Sequence, residues 1–162
     1  MLVPLRAGEA ANLTCHNVLV DEKELRFTPQ ETKNDEYFVL PLTDLCLKLI
    51  DADNIKIKNK IFHLSSRENE PMKAWSYFNK KVREASDVAH FNLHNFRRTF
   101  SSLISEHSDF SESLVDSLLN HKRSQTRQGV IRHYQHAKNV KQRREVMEWW
   151  SYFLTNEIIN YE

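Results

Sequence analysis

Phe91-Asn-Leu-His94-Asn-Phe-Arg97-Arg98-Thr-Phe100 is the stretch on which the reading of this chain turns. His94 and Arg97 are spaced i, i+3, which on a helix brings them to neighbouring parts of one face, roughly 60° apart. Phe96, Phe100 and Leu103 gather toward the other side. The pattern predicts a helix that aims an imidazole and a guanidinium together, away from the core. Such a pair suits holding a phosphate and moving a proton beside it. A polar helix face that happens to carry His and Arg is the plainer alternative, and the stretch alone does not choose between them.

Composition narrows the field. A chain of 162 residues with 40% hydrophobic and 28% charged residues fits one domain with a real core. No apolar run approaches the roughly 20 residues that cross a bilayer, and the N-terminus lacks a signal-peptide pattern. Cys15 and Cys46 form no CxxC, so free thiols in a reducing cytoplasm are the simplest expectation. The net charge of +1 argues by itself against a nucleic-acid partner. Its distribution argues the other way. Between Ser117 and Arg144 there is no Asp or Glu, while Lys122, Arg123, Arg127, Arg132, Lys138, Lys141, Arg143 and Arg144 are present, and Tyr134 lies inside the block. A solvated basic face is the usual meaning of a charge run. A one-signed block this long is better explained by a polyanion.

Further motifs flank the opening stretch in order. Leu5-Arg6-Ala7-Gly8-Glu9 stands near the start, and Glu31-Thr32-Lys33-Asn34 runs into Tyr37-Phe-Val-Leu-Pro41. Leu118-Leu119-Asn120-His121 and Arg132-His133-Tyr134 follow, and Lys141-Gln-Arg-Arg-Glu-Val-Met-Glu-Trp149-Trp150 forms the tail. With His94-Asn-Phe-Arg97, this series resembles the active-site boxes of the tyrosine recombinases, the phage integrase family, over about residues 4 to 154. The tail and the long gap from His121 to Tyr134 are similar to the prophage and genomic-island branch. Three departures stand out: Pro4 where the family has a small residue, Asn95 for the usual Asp, and Asn120 for the usual Gly. Neither Asn95 nor Asn120 is expected to perform chemistry.

The resemblance implies a mainly α, α+β catalytic domain with a small three-stranded antiparallel sheet. Residues 1–162 would form that one domain, with the family's N-terminal DNA-clamping domain absent from this chain. Locally, a short helix is expected at 7–12, strands at Cys15–Val20, Glu24–Phe27 and Tyr37–Pro41, and a helix capped by Thr43 or Asp44 running to Ile50. Ile55–His63 alternates like an edge strand. Helices should follow from Glu70-Pro71 to about Ala85 (apolar stripe Trp75, Phe78, Val82), then at 94–107, 111–119, 124–135 and 139–156.

The resemblance also implies roles. Arg6 and Arg97 would clamp the scissile phosphate with planar forks that lysine cannot match. Tyr134 would be the nucleophile, and with a reference pKa of about 10 it needs help losing its proton. His94 would serve as its base, Lys33 on a flexible turn as the acid for the leaving 5′-oxygen, and His121 as a donor to a phosphoryl oxygen. Tyr37 and Tyr77 sit in core-like segments, and Tyr152 and Tyr161 lie beyond the basic block. Lys122, Arg123, Arg127 and Arg132 would contact DNA. His121, His133 and His136 lack a Cys or acidic partner, so no metal and no cofactor is expected.

Site-specific recombination through a covalent 3′-phosphotyrosine is the implied function. Its partners would be double-stranded attachment sites and further copies in a tetramer on DNA, with a monomer as isolated domain, no membrane, and a bacterial or phage-encoded cytoplasmic setting. A DNA-binding module of the same fold without catalysis, or a type IB topoisomerase-like cleavage, are the alternatives. The tail helix, with two adjacent apolar stripes, must dock on something large, either its own core or a neighbouring protomer.

Overall fold

The computed structural model of the chain describes residues 2–50, 61, 75–121 and 130–158, with 130–138 as backbone alone. The elements run α1 (Ala7–Asn12), β1 (Val18–Leu19), β2 (Glu24–Phe27), β3 (Phe38–Pro41), α2 (Asp44–Leu49), α3 (Trp75–Ser86), α4 (Leu93–His107), α5 (Glu112–Leu118) and α6 (Val130–Phe153). A π-helical turn, Leu154–Ile158, follows the last helix. The class is α+β and mainly α, with one three-stranded antiparallel sheet of order β1-β2-β3, in agreement with the expectation.

Alternation builds the sheet. Leu25 and Phe27 of β2 turn inward while Arg26 turns out, and Phe38 and Leu40 of β3 join them. Phe27 pairs with Phe38 across the strands, their rings stacked at 6.1 Å. The first strand is shorter than its sequence suggests, because Cys15–Asn17 forms a 3-10 turn instead. The Asn17 side chain explains this. Its Oδ1 accepts from the Thr14 N–H and hydroxyl at 2.9 and 3.0 Å, and its amide donates to the Arg26 carbonyl and Glu31 at 2.9 Å. A short polar side chain has outcompeted the ladder for the local backbone.

Thr43 caps α2, accepting from the Cys46 N–H. On α3, Trp75, Phe78 and Val82 are the half-buried stripe, as the spacing predicted. The expected strand at Ile55–His63 and the expected helix start at Glu70 lie outside the described residues, apart from Ile61, whose N–H donates to the Leu13 carbonyl at 2.9 Å. On α4 the buried residues are Arg97, Phe100 and Ile104. The buried face is thus rotated from the expected Phe96–Phe100–Leu103 stripe, and Arg97 points into the protein rather than away from it.

The two helices expected at 124–135 and 139–156 are one helix where described, since Gln135–Asn139 contains neither Pro nor Gly to break it. Val146, Met147, Trp150 and Leu154 of this tail are buried in the chain's own core, with Trp149 and Phe153 packed beside them. The Trp150 ring meets Phe100 edge-on at 5.1 Å. Both apolar stripes therefore find their partner within the same chain.

Candidate active site

Three segments distant in sequence converge on the turn that ends α5. After Leu118 the chain passes through Leu119 (φ −87°, ψ −3°) and enters the left-handed region at Asn120 (φ 49°). Glycine is the easiest residue there, and asparagine among the next easiest. That is a conformational reason for the Gly-to-Asn exchange noted above. The geometry also leaves the carbonyls of Leu119 and Asn120 free of helical partners, in a region where a helix end favours cations.

Two guanidiniums take them. Arg97 donates through Nη2 to the Leu119 carbonyl and through Nη1 to the Pro4 carbonyl, tying α4 to both the N-terminal segment and the α5 turn. Pro4 is thereby a buried anchor. Arg6 donates through Nη2 to the Asn120 carbonyl at 2.8 Å. Its Nη1 pairs with Glu9 Oε1 at 2.9 Å, and Glu9 Oε2 also accepts from the Arg6 backbone N–H at 2.9 Å. Glu9, buried one turn into α1, thus fixes both ends of Arg6. The arginines sit on consecutive carbonyls.

Their electrostatics follow from that seating. Burial, and next the positive charge of Arg6, hold the Arg97 pKa down at about 10, below the ordinary arginine range, with Glu9 pulling the other way. Arg97 remains a cation at neutral pH. Among the described residues, Glu9 pairs with Arg6 and also bears on Arg97. Among the described residues, Arg97 Nε and Asn120 Nδ2 are buried without a hydrogen-bond partner.

Lys33 comes to the same turn through its neighbour. Asn34 donates from Nδ2 to the Asn120 carbonyl at 2.5 Å, so this one oxygen accepts from Asn34 and Arg6 together. Lys33 itself is exposed. His121, also exposed, follows Asn120 directly, with Nδ1 3.4 Å from Asp116 Oδ1. His94 is exposed on the first turn of α4, behind the cap in which Asn92 accepts from the Asn95 N–H at 3.2 Å. Arg6, Arg97, His121 and the Lys33 turn are therefore gathered around residues 119–121. His94 lies one helical turn before Arg97.

Tyr134 and Arg132 fall within α6, and their side chains lie outside the described part, as do Lys122, Arg123 and Arg127 altogether. Tyr37, Tyr77 and Tyr152 are all exposed, so the sequence's placing of Tyr37 and Tyr77 in the core does not hold. Tyr37 precedes β3, and Tyr77 lies off the α3 stripe. The basic block also needs trimming. Arg143 is buried and donates to the Val39 carbonyl, and Arg144 donates to the carbonyls of Lys23, Leu42 and Glu22. These two arginines hold the tail to the sheet. Glu9, Asn34 and Asn120 are site residues that motif reading passed over. The signal existed for Glu9, which stands three residues after Arg6 at capping-box spacing.

Among the described residues, no cluster of His, Cys, Asp and Glu is placed to hold a metal ion, and no helix is long and apolar enough to cross a membrane. The chain is 22% identical over 157 residues to the integrase of Shigella phage Sf6 and, at the same identity and length, to the prophage integrase IntS of Escherichia coli strain K12. Each comparison covers 95% of this chain, which spans 40% of the length of either relative. The model of the phage integrase family matches residues 3–140, the span that carries every motif described above except the tail. On that match the chain belongs to the phage integrase family.

Proposed function

We propose that this domain cuts and rejoins DNA in site-specific recombination, through a covalent 3′-phosphotyrosine. The observation that carries the reading is the seating of Arg6 and Arg97 on consecutive carbonyls, with Glu9 paired to Arg6. A phosphodiester under attack accumulates negative charge on its non-bridging oxygens, so its catalysis is mainly positioning and charge stabilisation. A preorganised, charge-deficient pair of guanidiniums answers that need.

In the forward step the Tyr134 oxygen bonds to phosphorus and gives up its proton to His94. The bond from phosphorus to the 5′-oxygen breaks, and that oxygen takes a proton from Lys33. His121 donates a hydrogen bond to a phosphoryl oxygen. Rejoining runs the same step backward, with the 5′-hydroxyl of a new strand attacking and the tyrosine leaving. Lys122, Arg123, Arg127 and Arg132 grip the phosphates of double-stranded attachment sites, and further copies assemble on the paired sites.

A second reading has one observation in its favour. Arg97 is buried and bonded to two main-chain carbonyls, as it would be in a DNA-binding module that kept the fold and lost cleavage. A nicked suicide substrate separates the two. Wild-type protein should form an SDS-resistant adduct, and Tyr134→Phe should lose it while keeping nearly all DNA affinity, which phosphate contacts supply. An adduct that persists in the Phe variant would move the nucleophile to a different tyrosine, the exposed Tyr152 first. No adduct from the wild type would favour the binding module.

A further inference from the structure

The turn that presents Lys33 is a closed structure. The Thr32 hydroxyl donates to the Glu36 carbonyl at 2.9 Å and accepts from the Glu36 N–H at 3.1 Å. The Asp35 N–H reaches the Thr32 carbonyl at 3.4 Å, and Asp35 takes a left-handed conformation at φ 55°. Lys33 contributes nothing to this bracing. Its side chain is exposed. What joins the braced turn to the rest of the site is Asn34, buried and bonded to the carbonyl that also receives Arg6. The turn is thus braced internally and clasped to the site through Asn34.

We propose that Asn34 is a positioning residue: its amide, clasped to the Asn120 carbonyl beside Arg6, sets where the Lys33 ammonium stands relative to the scissile phosphate. The proposal rests on the reading of Lys33 as the proton donor. The physical argument is one of lever arms. Lys33 has four methylenes between backbone and charge, so its reach is ample and its aim is poor. Anchoring the next residue to the oxygen that orients Arg6 refers both cations to one origin. A displacement of about 1 Å in such a group can cost on the order of 10²-fold in rate. Asn120 makes the arrangement possible, since its left-handed backbone turns that carbonyl toward both donors.

The leaving group provides the test. A suicide substrate whose scissile 5′-oxygen is replaced by sulfur releases a thiolate, a far weaker base than an alkoxide, and needs no proton donor. Adduct formation is measured on the oxygen and sulfur substrates for Lys33→Ala, Asn34→Ala and the near-isosteric Asn34→Asp, with circular dichroism melts alongside. The Asp variant keeps the shape of the turn should the Ala variant fold poorly. Both Asn34 variants should lose roughly 10- to 100-fold on the oxygen substrate and return to within a few-fold of wild type on the sulfur substrate, as should Lys33→Ala. If Lys33→Ala is rescued and the Asn34 variants stay impaired on both substrates, the clasp serves something other than the lysine and the proposal fails alone. Full oxygen-substrate activity in the Asn34 variants overturns it as well. If Lys33→Ala is not rescued, the reading of Lys33 as the acid falls, and the proposal falls with it.

Discussion

Arg143 and Val39 join the helix of the candidate nucleophile to the sheet: the buried guanidinium of Arg143 donates to the Val39 carbonyl in β3. Its carbon also lies 5.5 Å from the centroid of the Phe38 ring. Arg143 stands about two and a half turns past Tyr134 on α6, and β3 continues from the turn that carries Lys33. The orientation of this helix against the hairpin thus depends on a polar contact inside an apolar layer.

Arg143→Met should therefore destabilise the domain, although methionine fills much of the same volume. The Val39 carbonyl would lose its donor, and the contact over Phe38 would lose its charge. An unpaired buried acceptor costs about 1–3 kcal/mol, and the lost cation–π contact adds about 0.5–2 kcal/mol. Urea unfolding followed by tryptophan fluorescence should show a lower midpoint with little change in slope. A midpoint equal to wild type would mean that water or a neighbouring donor replaces the guanidinium.

Removal of residues 145–162 tests the docking of the tail. Val146, Met147, Trp150 and Leu154 would be lost from the core, exposing Phe100, which packs against Trp150. Each large buried side chain contributes roughly 1.5–3 kcal/mol, so the sum is comparable to the whole stability of a domain. The truncated chain should be unfolded or aggregated by circular dichroism and light scattering. A folded truncation that still cleaves single sites would show that the helix docks on a neighbouring protomer instead.

Much of this was legible in the sequence, and the failures share a cause. The second and third strands and helices α1 to α5 followed, within the described residues, from alternation and spacing, and Thr43 was recognisable as a cap. The α4 stripe was misplaced because an arginine occupies a buried position, which no hydropathy pattern announces. Arg143 and Arg144 looked like the rest of the basic block, since charge alone does not tell a phosphate contact from a main-chain one. The hydrogen bonds of Asn17, Asn34 and Asn120 are contacts of short polar side chains, and a motif scan treats such residues as filler. Burial of polar groups is decided by long-range pairing, and local sequence carries little trace of it.

Arg97→Lys should separate clamping from packing. Lysine keeps the charge but cannot donate in a fork to the Pro4 and Leu119 carbonyls and face a phosphate as well. Adduct formation should fall by roughly 10²–10³, the range for losing one preorganised donor to a developing oxyanion. The thermal midpoint should fall too, since a buried carbonyl loses its partner. Near-normal cleavage together with a lowered midpoint would assign Arg97 to the structure alone.

Asn120 allows the last separation, between a backbone requirement and a side-chain one. Its φ of 49° favours glycine, and its buried Nδ2 has no partner among the described residues. Asn120→Gly removes an unsatisfied donor and relieves the backbone while keeping the carbonyl that receives Arg6 and Asn34. The greater freedom of glycine in the unfolded chain offsets part of that gain. The Gly variant should melt within a degree or two of wild type and retain adduct formation. Asn120→Val places a β-branched residue in the left-handed region, at a cost of about 1–3 kcal/mol, and tends to swing the carbonyl away from both donors. It should lose both stability and cleavage. If Gly instead loses cleavage at unchanged stability, the Asn120 amide itself touches the DNA, and the unpartnered Nδ2 is then a phosphate donor rather than a structural remnant.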